Sequence, residues 1–134
     1  MFPRSIFGSG DAKKGILCDI AVADVSFISQ TYIIPPIASV LEGGGIFVSL
    51  IKPQFEAGKA ALGKNGVVHN AAYRFLAVKR VISCALEKGF DCIGLIKSPI
   101  EGGDGNKEYL AYFVKKTCIK PTVDDKIMKR VTLT

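Results

Sequence analysis

The chain has 134 residues, the size of one domain, and 49% of them are hydrophobic against 22% charged, which excludes general disorder and supplies one buried core. Its formal charge of +6 is uneven: residues 68–134 hold twelve basic and seven acidic residues, residues 1–67 six and five. That excess suits a polyanionic partner such as RNA, and equally an ordinary solvated surface, so charge alone selects no function.

In chain order, LCDIAVADV from Leu17 to Val25 is a short run of small and branched apolar residues that ends in a polar cluster, the pattern of a buried parallel strand. Ser29 then caps a predicted helix from about Gln30 to Leu41, with Gly43 as its stop and Pro35-Pro36 expected to bend or delay it. IFVSLI, residues 46–51, is bounded by glycines and Pro53 and reads as a second buried strand. Asn70 caps the clearest helix, where Ala71, Phe75, Val78, Ile82 and Ala85 recur at spacings of four and three before Gly89 closes it. Asp91 to Ile96 and Tyr109 to Val114 supply two more strands, joined by the loop KSPIEGGDGNK. The alternation predicts an α/β fold, a parallel sheet with helical crossovers and an antiparallel hairpin at one edge. Residues 1–16 read as a flexible start, and residues 116–134 as a basic, mobile tail.

The stretch from Thr31 to Ile51 could not span a membrane as one helix, because it holds Glu42, two prolines and three consecutive glycines. MFPRSIFGSGDAKK lacks the basic, apolar and small-residue order of a secretory signal, so the cytoplasm is the expected compartment. Cys18, Cys84, Cys92 and Cys118 show no Cys-x-x-Cys spacing and His69 completes no zinc set; they read as reduced cysteines with no metal.

Three charged residues fall at strand ends. Asp24 follows the first strand, Lys52 the second, and Glu108 precedes the last; ligands of open α/β sheets bind outside the carboxyl ends of the strands, and an antiparallel last strand would start at that same edge. A lysine partly dehydrated among carboxylates can exchange a proton near neutral pH, although an ion pair at a strand end would use the same residues. Gly58 to Asn65 has the spacing of a phosphate loop, but Asn65 stands where a magnesium-holding hydroxyl is needed, and Pro53 to Glu56 separates the loop from the strand. His69, just before a helix cap, reads as a surface residue.

Four blocks, ADVSFIS (23–29), IKPQFEAG (51–58), LGKNGVV (62–68) and SPIEGGDGNKEYL (98–110), occur in order within residues 17–115. Together they resemble the TlyA-type proteins, known as hemolysin A or as ribosomal RNA 2′-O-methyltransferases with an FtsJ-like catalytic domain. The resemblance implies a Rossmann-like, S-adenosylmethionine-dependent methyltransferase fold and a Lys-Asp-Lys-Glu catalytic set whose last three members are Asp24, Lys52 and Glu108. It further implies ribosomal RNA as partner, no membrane, a cofactor contact at Asp24, Val25 and Ser26, and a pocket shaped by Pro53 and Phe55. The family's RNA-binding domain, first catalytic lysine and Gly-rich cofactor loop find no counterpart in these residues, so the sequence resembles the carboxyl-terminal portion of the domain. Two other readings are a non-catalytic RNA-binding or interaction protein that keeps the fold, and a membrane-active hemolysin, for which no long amphipathic segment is present.

Overall fold

The computed structural model describes residues 17–115 and 122–133. Four strands, β1 (Cys18–Ala23), β2 (Leu41–Ile51), β3 (Phe90–Lys97) and β4 (Tyr109–Lys115), form one sheet in the order β1-β2-β4-β3. β1 and β2 are parallel, while β4 runs antiparallel to both β2 and β3, so the predicted hairpin is present with its second strand inserted beside β2 and β3 left at the edge. Three helices, α1 (Gln30–Val40), α2 (Ala71–Glu87) and α3 (Asp125–Leu133), cover one face. Within residues 17–115 the strands and α-helices expected from the sequence are those observed.

Local signals account for the boundaries. The Ser29 side chain accepts from the Thr31 amide at the start of α1, and Asn70 does the same for Ala72 at the start of α2. Gly89, at φ +90°, takes the left-handed conformation that ends α2. Pro35 and Pro36 lie inside α1, where the helix runs on through them. Pro35 cannot donate to the Thr31 carbonyl four residues back, and the Cys84 thiol donates to that carbonyl instead, at 3.9 Å. α1 ends at Val40, before the expected glycine stop, because the Lys115 ammonium takes its last carbonyls, Ala38 at 2.5 Å and Leu41 at 2.6 Å. β2 then starts at once, and its register against β1 slips across the three glycines.

Alternation sorts the sheet into two faces. Ala21, Ala23, Phe47, Ile51, Phe90, Cys92, Ala111 and Phe113 point at the helices and are buried, with Phe47 stacked on Phe113 at 5.4 Å. On the other face Ile20 and Val22 of β1 are each 60% exposed, and in register with them stand half-buried Ile46 and Val48 of β2.

The expected mobile tail is corrected in part. Residues 125–133 form α3, and Val123 and Met128 enter the core, because its apolar positions fall on one side of a short amphipathic helix and meet α2 and β3. Its last turn is held by Arg74, whose guanidinium donates to the Thr132 carbonyl at 3.0 Å. The start read as flexible, residues 1–16, and Cys118 lie outside the described residues.

Candidate active site

The charged residues picked out from the sequence lie at one end of the sheet. Lys52 immediately follows β2, and its ammonium sits 2.7 Å from Asp24 Oδ1, just past β1, and 3.1 Å from the Ser26 hydroxyl. β1 and β2 are parallel and finish at the same end of the sheet, β2 two residues beyond the register of Ala23 with Ser49, which is how residues 28 apart in sequence meet here. The Lys52 side chain is 15% exposed and that of Asp24 60%, so the lysine is the member withdrawn from water.

Glu108 borders the same cleft, immediately before β4, and is 6% exposed. It does not close the Asp24–Lys52 pair. Its carboxylate instead accepts from Gln54 Nε2 at 2.8 Å, and Gly102 packs against it. Gln54 carried no sequence signal of its own beyond its place in the block IKPQFEAG.

A cleft of about 910 Å³ opens between these loops, lined among others by Ser26, Phe27, Lys52, Phe55, Arg80 and Glu108. Of the three residues expected to touch a cofactor, Ser26 lines it; Asp24 reaches it through Lys52, and Val25 is half-buried beside it. Phe55 lines the cleft. Pro53 is buried beneath it at the first position of a short 3₁₀ turn, Pro53–Phe55, and shapes the chain rather than the wall.

Two further features were not legible beforehand. Phe27 holds φ +65°, a left-handed conformation unusual for a bulky residue, and is 89% exposed with its ring 4.8 Å from that of Phe55. An aromatic so placed offers an open π-face at the mouth of the cleft. Glu56 is buried on the cleft's inner side, where Oε1 accepts from the Ser29 hydroxyl at 2.5 Å and Oε2 from the Gln30 amide at 2.7 Å. Desolvation raises its pKa above the ordinary 4.5, and these hydrogen bonds and Arg80 act against that rise. Glu56 thereby ties the loop after β1 to the loop after β2.

Gly58 to Asn65 forms short 3₁₀ turns with no helix directly after it, unlike a phosphate loop. His69 is exposed, and among the described residues no group of His, Cys, Asp or Glu could hold a metal. No helix among them is long and apolar enough to cross a membrane.

The chain is similar to known proteins over most of its length. YqxC of Bacillus subtilis, named as an rRNA methyltransferase, is 43% identical over 102 residues, covering 76% of this chain and 36% of that protein. The 16S/23S rRNA (cytidine-2′-O)-methyltransferase TlyA of Mycobacterium tuberculosis is 38% identical over 99 residues, covering 74% of this chain and 37% of TlyA. A solved structure named for a hemolysin from Streptococcus thermophilus superposes with a TM-score of 0.81 at 40% identity, over 87% of this chain and 42% of that one. The chain thus spans well under half the length of these relatives. The FtsJ-like methyltransferase profile matches residues 7–115, which include β1 to β4 and Asp24, Lys52 and Glu108, and the chain belongs to that family.

Proposed function

We propose that these residues form part of the catalytic centre of a ribosomal RNA 2′-O-ribose methyltransferase. The observation that carries this reading is the withdrawn lysine held between a carboxylate and a hydroxyl at a strand end, on the rim of a cleft wide enough for a nucleotide.

S-adenosylmethionine, when bound, supplies a methyl group made electrophilic by its cationic sulfur. The residues present fit such a group: carboxylates at the end of β1 and the start of β4 suit a positive charge, and Phe27 and Phe55 offer flat apolar surface to a purine. Ser26 would hold its polar side, with Asp24 and Val25 fixing that loop. The chain's own work is then to align a ribose hydroxyl with the methyl group and to remove one proton. In its neutral form Lys52 would have two N–H bonds for Asp24 and Ser26 to accept and one lone pair to receive the 2′-hydroxyl proton. Glu108 sets the opposite wall, and Arg80, exposed beside the cleft with one guanidinium nitrogen on the Glu56 carbonyl, can meet a phosphate.

The test is transfer of a labelled methyl group from S-adenosylmethionine to ribosomal RNA by the full-length protein, with the product sugar resisting alkaline cleavage at one site. RNA binding with no transfer would favour an interaction protein that keeps the fold.

A further inference from the structure

The Glu108 carboxylate sits in a slot with two walls. On one side Gln54 Nε2 donates to Oε2 at 2.8 Å. On the other is bare backbone: a Cβ added at Gly102 would stand 1.9 Å from that same oxygen and 2.5 Å from the carboxyl carbon. The Gly102 wall is itself fixed, because its amide donates to the Asn106 carbonyl at 2.7 Å, and the Asn106 side chain binds the Val68 amide and the Gly66 carbonyl.

Gln54 does not explain itself as a packing residue. Its Oε1 is buried with no hydrogen-bond partner among the described residues, and a buried amide oxygen left unpaired opposes folding. A leucine of similar size would avoid that. The favourable contact of the amide is the one it makes to Glu108. Gln54 also lies on the turn that starts at Lys52, whose carbonyl accepts from the Phe55 amide at 2.9 Å, so its reach links the position of Glu108 to that of Lys52.

We propose that Gln54 is a positioning residue of the methyl-transfer centre: it holds Glu108 at a set distance from Lys52, against the stop that Gly102 provides. This rests on the reading of Lys52 as the proton acceptor.

Gln54→Leu in the full-length protein is expected to lower the single-turnover methyl-transfer rate about ten- to a hundredfold, the usual scale for a misplaced catalytic group, with KM for RNA and for S-adenosylmethionine within about twofold of wild type. Its thermal midpoint should stay near that of wild type, since the donor lost at buried Glu108 and the unpaired buried oxygen removed act in opposite directions. On a Glu108→Gln background, Gln54→Leu should lower the residual rate by less than about twofold, because the group it positions is already changed. Gly102→Ala, acting from the other wall, should lower the rate in the same way. An equal drop on both backgrounds, or a drop that tracks a fall in thermal midpoint, would overturn the proposal. If wild type transfers no methyl group, the methyltransferase reading fails, and the contact is judged by nuclear magnetic resonance instead. The Gln54 side-chain amide protons should exchange slowly in wild type and fast in Glu108→Ala; fast exchange in both would sink it.

Discussion

Arg74 and Lys52 are both withdrawn from water, and they are held differently. Arg74, 4% exposed, is satisfied on all sides: its guanidinium donates to the carbonyl of His69 at 2.7 Å, to that of Thr132 at 3.0 Å, to the Tyr109 hydroxyl at 3.1 Å and, at longer range, to Val68 and Leu133. Lys52 has one carboxylate, one hydroxyl and a cleft in front of it. The first arrangement ties α2, α3 and β4 together and leaves no position for a ligand; the second keeps one open. On the reading proposed above, satisfaction of the donors, and not burial alone, separates the structural cation from the proton acceptor.

Exchanging the two roles is the strongest way to break that contrast. Lys52→Ala should reduce methyl transfer by about a thousandfold or more, the scale of a lost proton acceptor, while the urea midpoint and RNA affinity stay near wild type. Lys52→Arg should fail as well, since guanidinium keeps its proton at any accessible pH. Near wild-type transfer by either variant would make Lys52 an ion-pair residue only.

Arg74→Met should do the reverse. It strands the Tyr109 hydroxyl and the α3 carbonyls and is expected to cost about 3 kcal/mol in urea unfolding, with turnover per folded molecule little changed. An unchanged midpoint would show that α3 contributes nothing to stability.

The third expectation concerns the cofactor. Among the described residues of this 134-residue chain, β1 stands at the edge of the sheet and its side chains Ile20 and Val22 meet solvent. Calorimetric titration with S-adenosylmethionine should show binding weaker than micromolar; a micromolar constant would mean that the loops after β1 and β2 suffice.

The smallest effect belongs to Glu56. Burial raises its pKa above 4.5, so the folded protein holds that proton more tightly than the unfolded chain does, and the stability this contributes is full below pH 4.5 and declines as pH rises through the folded pKa. Glu56→Gln keeps the side chain's size, and Ser29 can turn its hydroxyl to accept. The stability difference between variant and wild type, measured by urea midpoints from about pH 4 to pH 7, should shift in the variant's favour as pH rises. A difference that is flat with pH would place Glu56 among groups whose hydrogen bonds offset their burial.

The sequence by itself determined the elements and their order, because apolar period, caps and glycine stops act within a few residues: Ser29, Asn70 and Gly89 do in the fold what their chemistry predicts. It also placed Asp24, Lys52 and Glu108 at strand ends, since that follows from where apolar runs stop. Tertiary structure alone decided who touches whom there. Glu108 meets Gln54, 54 residues away in sequence, and not Lys52; Phe27 stands out of the fold in a left-handed conformation; and a polar tail becomes a helix because Arg74 and the faces of α2 and β3 receive it. The first two have no local signature, and the amphipathic period of the tail is too short to hold a helix by itself. Each depends on partners far along the chain, and their contribution exists only once the sheet has brought them within hydrogen-bonding distance.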